Sequence, residues 1–583
     1  MGRNHSRRSQ EHDSLAEGMD RGTAMTKITF RNFALAAVIA VSTACTQTQD
    51  VSELPLQTRA GAPLFEGMGD FSRSITTSDP DVQRYFNQGM VLAFGFNHAE
   101  ANRSFRAAQT LDPDCAMCFW GEALATGPNI NVTANGKAVM SEADQVSAFA
   151  ALEQAQALAS DVTEIEQDMI AALATRYAAK PVDDRYDYDL AYADAMEALS
   201  AKYPQDDDIA SLAAEARMNT MPWDYWSTPT KPKPKADAAI KSLETVIARS
   251  PDHPLALHLY IHAVEASDTP EKAEPAADLL ANLVPGSSHL VHMPAHIYWR
   301  VGRYADAATA NIKAAKVDED YIAACNAQGF YPALYYPHNI HFLWASASMM
   351  GQSELALEQA DKLAANVSLE MIDQFPTVEF FHTIPLLTKV QFAKWDELLQ
   401  ADQPRADLAY SNAIWHYARG IAMARKGNLI GAESEYAAMA PLIKTDKVMF
   451  LDGADYPAST MLTIAQTLLA GELAMGAKEY DAAISHFGEA VALQDALPYT
   501  EPPFWYYPTR QSLGQALMAA GKYAEAEAVY RKDLEDYPKN GWSTFGLMAA
   551  LKAQGKAAEA EEVAKQFEIL WRMADVELES SRL

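Results

Sequence analysis

Apolar and small residues recur along this chain at helical spacing, and the spacing itself repeats. Gly89, Ala101, Phe105, Ala108 and Pro113 supply a close-contact position on one helix, packing positions on the next, and a terminating proline. The same pattern returns at Gly302 with Tyr304 and Ala307, at Gly351 with Ala356, and at Gly420 and Gly427 with Ala432. It returns again at Gly471 with Tyr480 and Ala483, at Gly514, Gly521 and Tyr523 with Ala526, and in a looser last unit from Trp542 to Ala560. Pro251 and Pro285, like Ala273 and Ala307, stand 34 residues apart, which sets the period. About nine or ten helix–turn–helix units fit, with irregular helical segments at 148–158 and 164–177. The Pro/Lys-rich stretch 228–235 reads as an exposed connection, and 318–336 as an insertion of about 15 residues into the repeat. No run alternates strongly enough to be read as a strand, so the prediction is all-α.

A 34-residue helix–turn–helix period is that of the tetratricopeptide repeat, whose units stack into a superhelical solenoid because one unit alone cannot bury its apolar face. The chain is 583 residues long and 49% hydrophobic, enough to build a long continuous core. Its net charge of −30 repels phosphate backbones and anionic lipid head groups, which argues against nucleic-acid binding and favours cationic ligands or metal ions.

The N-terminal region adds a compartment. Lys27 and Arg31 precede the apolar run Ala34–Val41, then Ser42-Thr43-Ala44-Cys45, in the order of charged region, short apolar region and small-residue cleavage site. The run is too short to span a bilayer. It resembles a bacterial lipoprotein signal, which would make Cys45 the lipidated N-terminus; Ser42 departs from the Leu usual there, leaving ordinary secretion as the alternative. Thr46 and Gln47 then resemble the residues that sort a lipoprotein to the outer membrane. The expected layout is an upstream extension plus signal peptide over 1–45, a polar tether over 46–70 and the solenoid over 71–583. On that layout the only contact with a membrane is through the lipid.

Several strings are similar to those of a largely uncharacterised family of bacterial tetratricopeptide-repeat lipoproteins. They are Leu111-Asp112-Pro113 through Cys115-Ala-Met-Cys118 and Trp120-Gly121, then Pro222-Trp223-Asp224-Tyr225-Trp226 and His258-Leu-Tyr-Ile-His262-Ala-Val-Glu265. His292-Met-Pro-Ala-His296, Pro337-His338-Asn339-Ile340-His341-Phe342 and Glu501-Pro-Pro-Phe-Trp505-Tyr-Tyr-Pro508 complete them. The resemblance implies the fold and an envelope location, and brings no settled activity. In an oxidising envelope Cys115 and Cys118 read as a disulfide or as a soft-metal pair with Met117, and Cys325 as a buried thiol.

Histidine carries the chemical signal. His258 and His262 recur 34 residues later as His292 and His296. His258, His262 and Glu265 lie at offsets 0, 4 and 7, on one narrow helical face. His289, His292 and His296 share a face on the next first helix, and His338 and His341 take the same phase on a third. First helices of such repeats line the concave groove, so these seven imidazoles and one carboxylate are predicted to meet in it. Neutral imidazole suits Zn, Cu and Fe(II), and Glu265 could ligate, orient a ligand or act as a base. His253 reads as a turn residue, and His382 and His416 as core-adjacent. Aromatic runs at Trp223–Trp226 and Phe504–Tyr507 read first as packing at helix junctions. A phosphate loop, a nucleophile elbow and an H-E-x-x-H zinc motif are all missing from the sequence.

Three functions fit: a groove that holds a protein segment or other ligand beside a divalent transition-metal site, a Zn-, Cu- or Fe-dependent enzyme using the same site, or a metal sequestration or delivery protein. Coordination separates them, because a closed four-ligand site is structural and three ligands with an open position suggest chemistry.

Overall fold

The computed structural model describes residues 54–134, 136–325 and 330–583, a unit built of successive helical hairpins. Its first full hairpin shows how the sequence makes them. Asp79 caps the helix Pro80–Phe94 by accepting from the Asp81 amide, and Pro80 occupies the position where a missing N–H costs nothing. Asn97 caps the returning helix His98–Leu111. Phe105 then lies fully buried between Gly89 on the preceding first helix and Gly121 on the following one. A Cβ at Gly89 would sit 2.6 Å from the Phe105 ring, and one at Gly121 would sit closer still, so glycine is what lets three helices share one ring. Tyr530 is held by Gly514 and Gly546 in the same way, and Phe487 abuts Gly471. The Gly-to-aromatic offset in all three cases is 16 residues.

Three sequence expectations change in detail. The expected tether over 46–70 gives way from about residue 54: Leu56–Ala60 is helical, the Tyr85 hydroxyl donates to the Ala62 carbonyl at 2.6 Å, and Gln88 accepts from the Phe65 amide at 2.7 Å. The Gly286 amide donates to the Gly67 carbonyl at 2.8 Å, tying this segment to a later repeat as well. Ala60, Ala62, Leu64, Phe65 and Met68 carry enough apolar surface to be drawn onto the solenoid. The insertion at 318–336 lengthens both helices of one hairpin, Tyr304–Cys325 and Phe330–Met349. Two short antiparallel ribbons also form, β1 (Thr133–Ala134) with β2 (Lys137–Ala138), and β3 (Trp226–Thr228) with β4 (Lys231–Pro232). Cys45, and with it the proposed signal, lies outside the described residues, as do the side-chain surroundings of Cys325.

The array curls back on itself. The Trp542 indole donates to the Ser348 carbonyl at 3.0 Å, and Asp575 accepts from the Ser353 and Glu354 amides at 2.7 and 2.9 Å. Gly302, with φ +73°, sits so close under the Pro538 carbonyl that no side chain fits. The concave face is therefore covered. The segment 498–508 runs through it with Trp505, Tyr506 and Tyr507 buried, and the β1–β2 turn reaches across to Asp455, which accepts from the Gly136 amide at 3.4 Å. No helix among the described residues is long and apolar enough to cross a membrane.

Candidate metal centre and ligand pocket

Three first helices bring the histidines together. Pro254–Val264 starts at His253, whose ring accepts from the Ala256 amide and bonds Asp208, so this histidine serves as a cap. His258, His262 and Glu265 follow on the inner face, each essentially fully buried. On the second helix Pro294 interrupts the hydrogen-bond ladder between Ser288–His292 and Pro294–Arg300. Met293 keeps helical dihedrals (φ −50°, ψ −37°), so His289, His292 and His296 stay in phase. The third, Phe330–Met349, supplies His338, partly exposed to the cavity.

The bonds on the outer sides of these rings decide which nitrogens face inward. The His258 Nδ1–H donates to the Phe94 carbonyl at 2.6 Å, leaving Nε2 bare. Glu265 accepts from His262 Nδ1 at 3.0 Å and from His296 Nδ1 at 2.5 Å. Asn311 gives its amide N–H to the Ala307 carbonyl, so its oxygen faces His292 Nδ1 at 2.6 Å and takes that proton. Four rings thus commit Nδ1 to an oxygen and turn Nε2 to the interior, the orientation that partners in the outer shell of a metal site impose. His292 Nε2 and His296 Nε2 stand 2.9 Å apart, close enough for one shared proton or one shared cation. His258 Nε2, His262 Nε2 and both His289 nitrogens are buried with no hydrogen-bond partner.

Electrostatics agree with this orientation. Burial, and then the neighbouring imidazoles, push His289, His292 and His338 well below the ordinary histidine range. Burial and the His262 ring do the same for His258, and His262 itself is lowered mainly by burial. Burial alone would raise the Glu265 carboxyl, but His296 and His262 with their N–H donors outweigh it and keep Glu265 ionised. Glu501 goes the other way: burial, then repulsion from Glu265, raises it well above the carboxylate range, and it keeps its proton. Imidazoles at His258, His262, His289, His292 and His338 that burial disfavours from charging, beside one buried carboxylate, make a chamber suited to a cation. One ring nitrogen each of His258, His262 and His289 lie within 4.8 Å of one another; so do those of His292, His296 and His338, and the donor atoms of His262, Glu265 and His296.

The chamber opens on a cavity of about 610 Å³. His262, His289, His296 and His338 form one end of it with Glu265 and Glu501, and Trp223, Phe380, Tyr456, Phe504 and a run of prolines line the rest. Trp223 meets the His262 ring edge-on with centroids 5.1 Å apart. The aromatic runs therefore divide: Tyr225, Trp505 and Tyr507 pack helix junctions, whereas Trp223, Phe504 and Tyr506 line the pocket.

Seven of the eight predicted groups converge, and His341 does not join them. It stacks on Trp344, centroids 5.1 Å apart and planes 8° from parallel, with Phe380 and Phe381 edge-on, and burial lowers it to about 3. Three residues round the helix from His338 is a turn of about 60°, enough to put it on the neighbouring wall of the pocket. Cys115 and Cys118 are joined as a buried disulfide at the start of the helix Ala116–Thr126, which leaves neither sulfur free for the soft-metal alternative. His382 and His416 are half-buried and bonded to the Val367 carbonyl and to Glu435. Sequence reasoning missed the Phe94 carbonyl and Asn311, and quoted Glu501 only within a string.

The fold is a tetratricopeptide-repeat solenoid, on its succession of helical hairpins and its repeated glycine–aromatic contacts. No family model matches the chain, and no curated protein matches it. Among solved structures, the human IFIT1 dimer with m7Gppp-AAAA is similar over 85% of this chain and 91% of its own, at 13% identity and a TM-score of 0.30. Yeast Tom70 is similar over 85% and 92%, at 13% identity and 0.26, and the TPR domain of P58(IPK) over 82% and 99%, at 13% identity and 0.21. These likenesses concern the repeat architecture and carry nothing about ligands.

Proposed function

We propose that this is an envelope protein of the tetratricopeptide-repeat lipoprotein kind that holds a divalent transition metal, Zn, Cu or Fe, in its histidine chamber and binds a peptide or small organic ligand in the adjoining pocket. The observation that carries the reading is the burial, with no hydrogen-bond partner, of His258 Nε2, His262 Nε2 and both His289 nitrogens, in three rings of which one nitrogen each lie within 4.8 Å of one another. Buried polar nitrogens left without partners are costly, and a cation among them supplies the missing bonds. The aromatic and proline walls suit an extended apolar or peptide segment, which could complete the coordination of the metal. The test is metal content by mass spectrometry on the full-length chain, purified without a polyhistidine tag. Stoichiometric metal is expected, and a chain that stays empty after reconstitution with Zn, Cu and Fe(II) refutes the reading.

A metal-dependent enzyme is favoured as the second reading by one feature: each imidazole set offers three protein ligands and borders the cavity, the arrangement that leaves a coordination position for water or substrate. The location rests on the signal-like segment ending at Cys45. Cys45→Ser is expected to release the protein from the membrane fraction and to abolish labelling by radioactive palmitate. Unchanged labelling would remove the lipoprotein assignment.

A further inference from the structure

We propose that the chamber is dinuclear, with one ion on His258, His262 and His289 and a second on His292, His296 and His338. This deepens the metal-centre reading and rests on it. The two sets are drawn from different pairs of helices, and the nitrogens within each lie within 4.8 Å of one another. Nitrogens on one ion at the usual bond length of about 2.0–2.1 Å stand at most about 4.2 Å apart, so each set needs only a small contraction to close on an ion.

A single ion cannot satisfy the whole chamber. Placed on the first set, it takes up the orphaned Nε2 atoms of His258 and His262 and one nitrogen of His289, and leaves the second converging set, His292, His296 and His338, unused. Placed on the second set, it leaves the Nε2 atoms of His258 and His262 and both nitrogens of His289 buried without partners. A single ion on His262, Glu265 and His296 is the remaining arrangement. It would still strand His258 Nε2 and both nitrogens of His289. Two ions engage one nitrogen of each of the six rings.

The carboxylate supports the same assignment. Glu265 takes one proton from His262 in the first set and one from His296 in the second, so one anion orients a ligand of each ion and offsets part of their charge. Both sets also meet the same cavity, the first through His262 and His289 and the second through His296 and His338. A ligand with an oxygen donor could therefore bridge the ions from the pocket side. Two all-imidazole sites select borderline ions, copper(II) or zinc, over the hard cations magnesium and calcium.

The experiment is to load the full-length chain with copper(II), remove excess metal by gel filtration, and measure copper per chain together with the electron paramagnetic resonance spectrum. Two coppers per chain are expected, with a signal weakened or split by coupling between neighbouring ions. The double variants His258→Ala/His289→Ala and His292→Ala/His338→Ala should each retain one copper with an uncoupled mononuclear spectrum, their folding checked by circular dichroism. One copper in the wild type overturns the dinuclear proposal and leaves the metal centre standing, whereas none overturns both. Should either variant fail to fold, the wild-type stoichiometry and spectrum decide the question alone.

Discussion

Changing Glu265 to Gln is expected to weaken metal binding about 10- to 100-fold while leaving the helices intact, as loss of an outer-shell carboxylate does elsewhere. The substitution preserves shape and removes one property, the ability to accept from two N–H groups at once. In the native chain both Glu265 oxygens accept, one from His262 and one from His296. A glutamine has one accepting oxygen and an NH2 group, so one of the two rings must face a donor and move its proton to Nε2. That proton then covers the nitrogen that should bind the metal. The loss also removes an ionised group from a buried site, so less charge offsets the cation. Competition against a chelator of known zinc affinity measures the effect, and an affinity equal to that of the native chain would show that Glu265 does not orient the ligands.

Phe105→Ala should cost about 3–5 kcal/mol of stability, at the upper end for a core truncation. The ring is fully buried and is contacted on two sides by glycine backbone, from Gly89 and Gly121. Removing it leaves a void between three helices that cannot easily close, because their separation is also held by the Gln88–Ser104 bond and by Arg106 and Gln109 donating to Glu122. Stability in a repeat array is a sum of units and nearest-neighbour interfaces, so urea unfolding should show the N-terminal repeats melting ahead of the others. A shift below about 1 kcal/mol would mean that the helices collapse onto the vacated space and that the glycines do not fix their spacing.

Much of the site was legible because periodicity converts sequence offsets into faces. His258 and His262 recurring as His292 and His296 put two pairs at one phase of adjacent repeats, and stacked repeats bring equal phases together. His341 shows the limit of that inference. Its offset from His338 matches that of His292 from His289, but Trp344, Phe380 and Phe381 offer a flat aromatic slot that the earlier helix lacks, and the ring lies in it. The tether was misplaced for a related reason. The residues from Leu56 to Met68 show no repeat signature, and what holds them is apolar burial against Tyr85 and Gln88, which offsets within the segment do not reveal.

By itself the sequence determined the all-α repeat, its period, the glycine–aromatic wedges and the set of imidazoles on the inner face, since each follows from spacing along one helix or between equivalent positions. Tertiary structure decided which nitrogen most of the rings present, because for His258, His292 and His296 that depends on the Phe94 carbonyl, Asn311 and Glu265, acceptors supplied by other helices or turns. It also decided that the groove is a closed chamber beside a pocket, with Glu501 and the 498–508 segment arriving from more than 200 residues further along the chain. Hydrogen-bond direction and enclosure arise between elements distant in sequence, and a periodic pattern records only what neighbouring turns share.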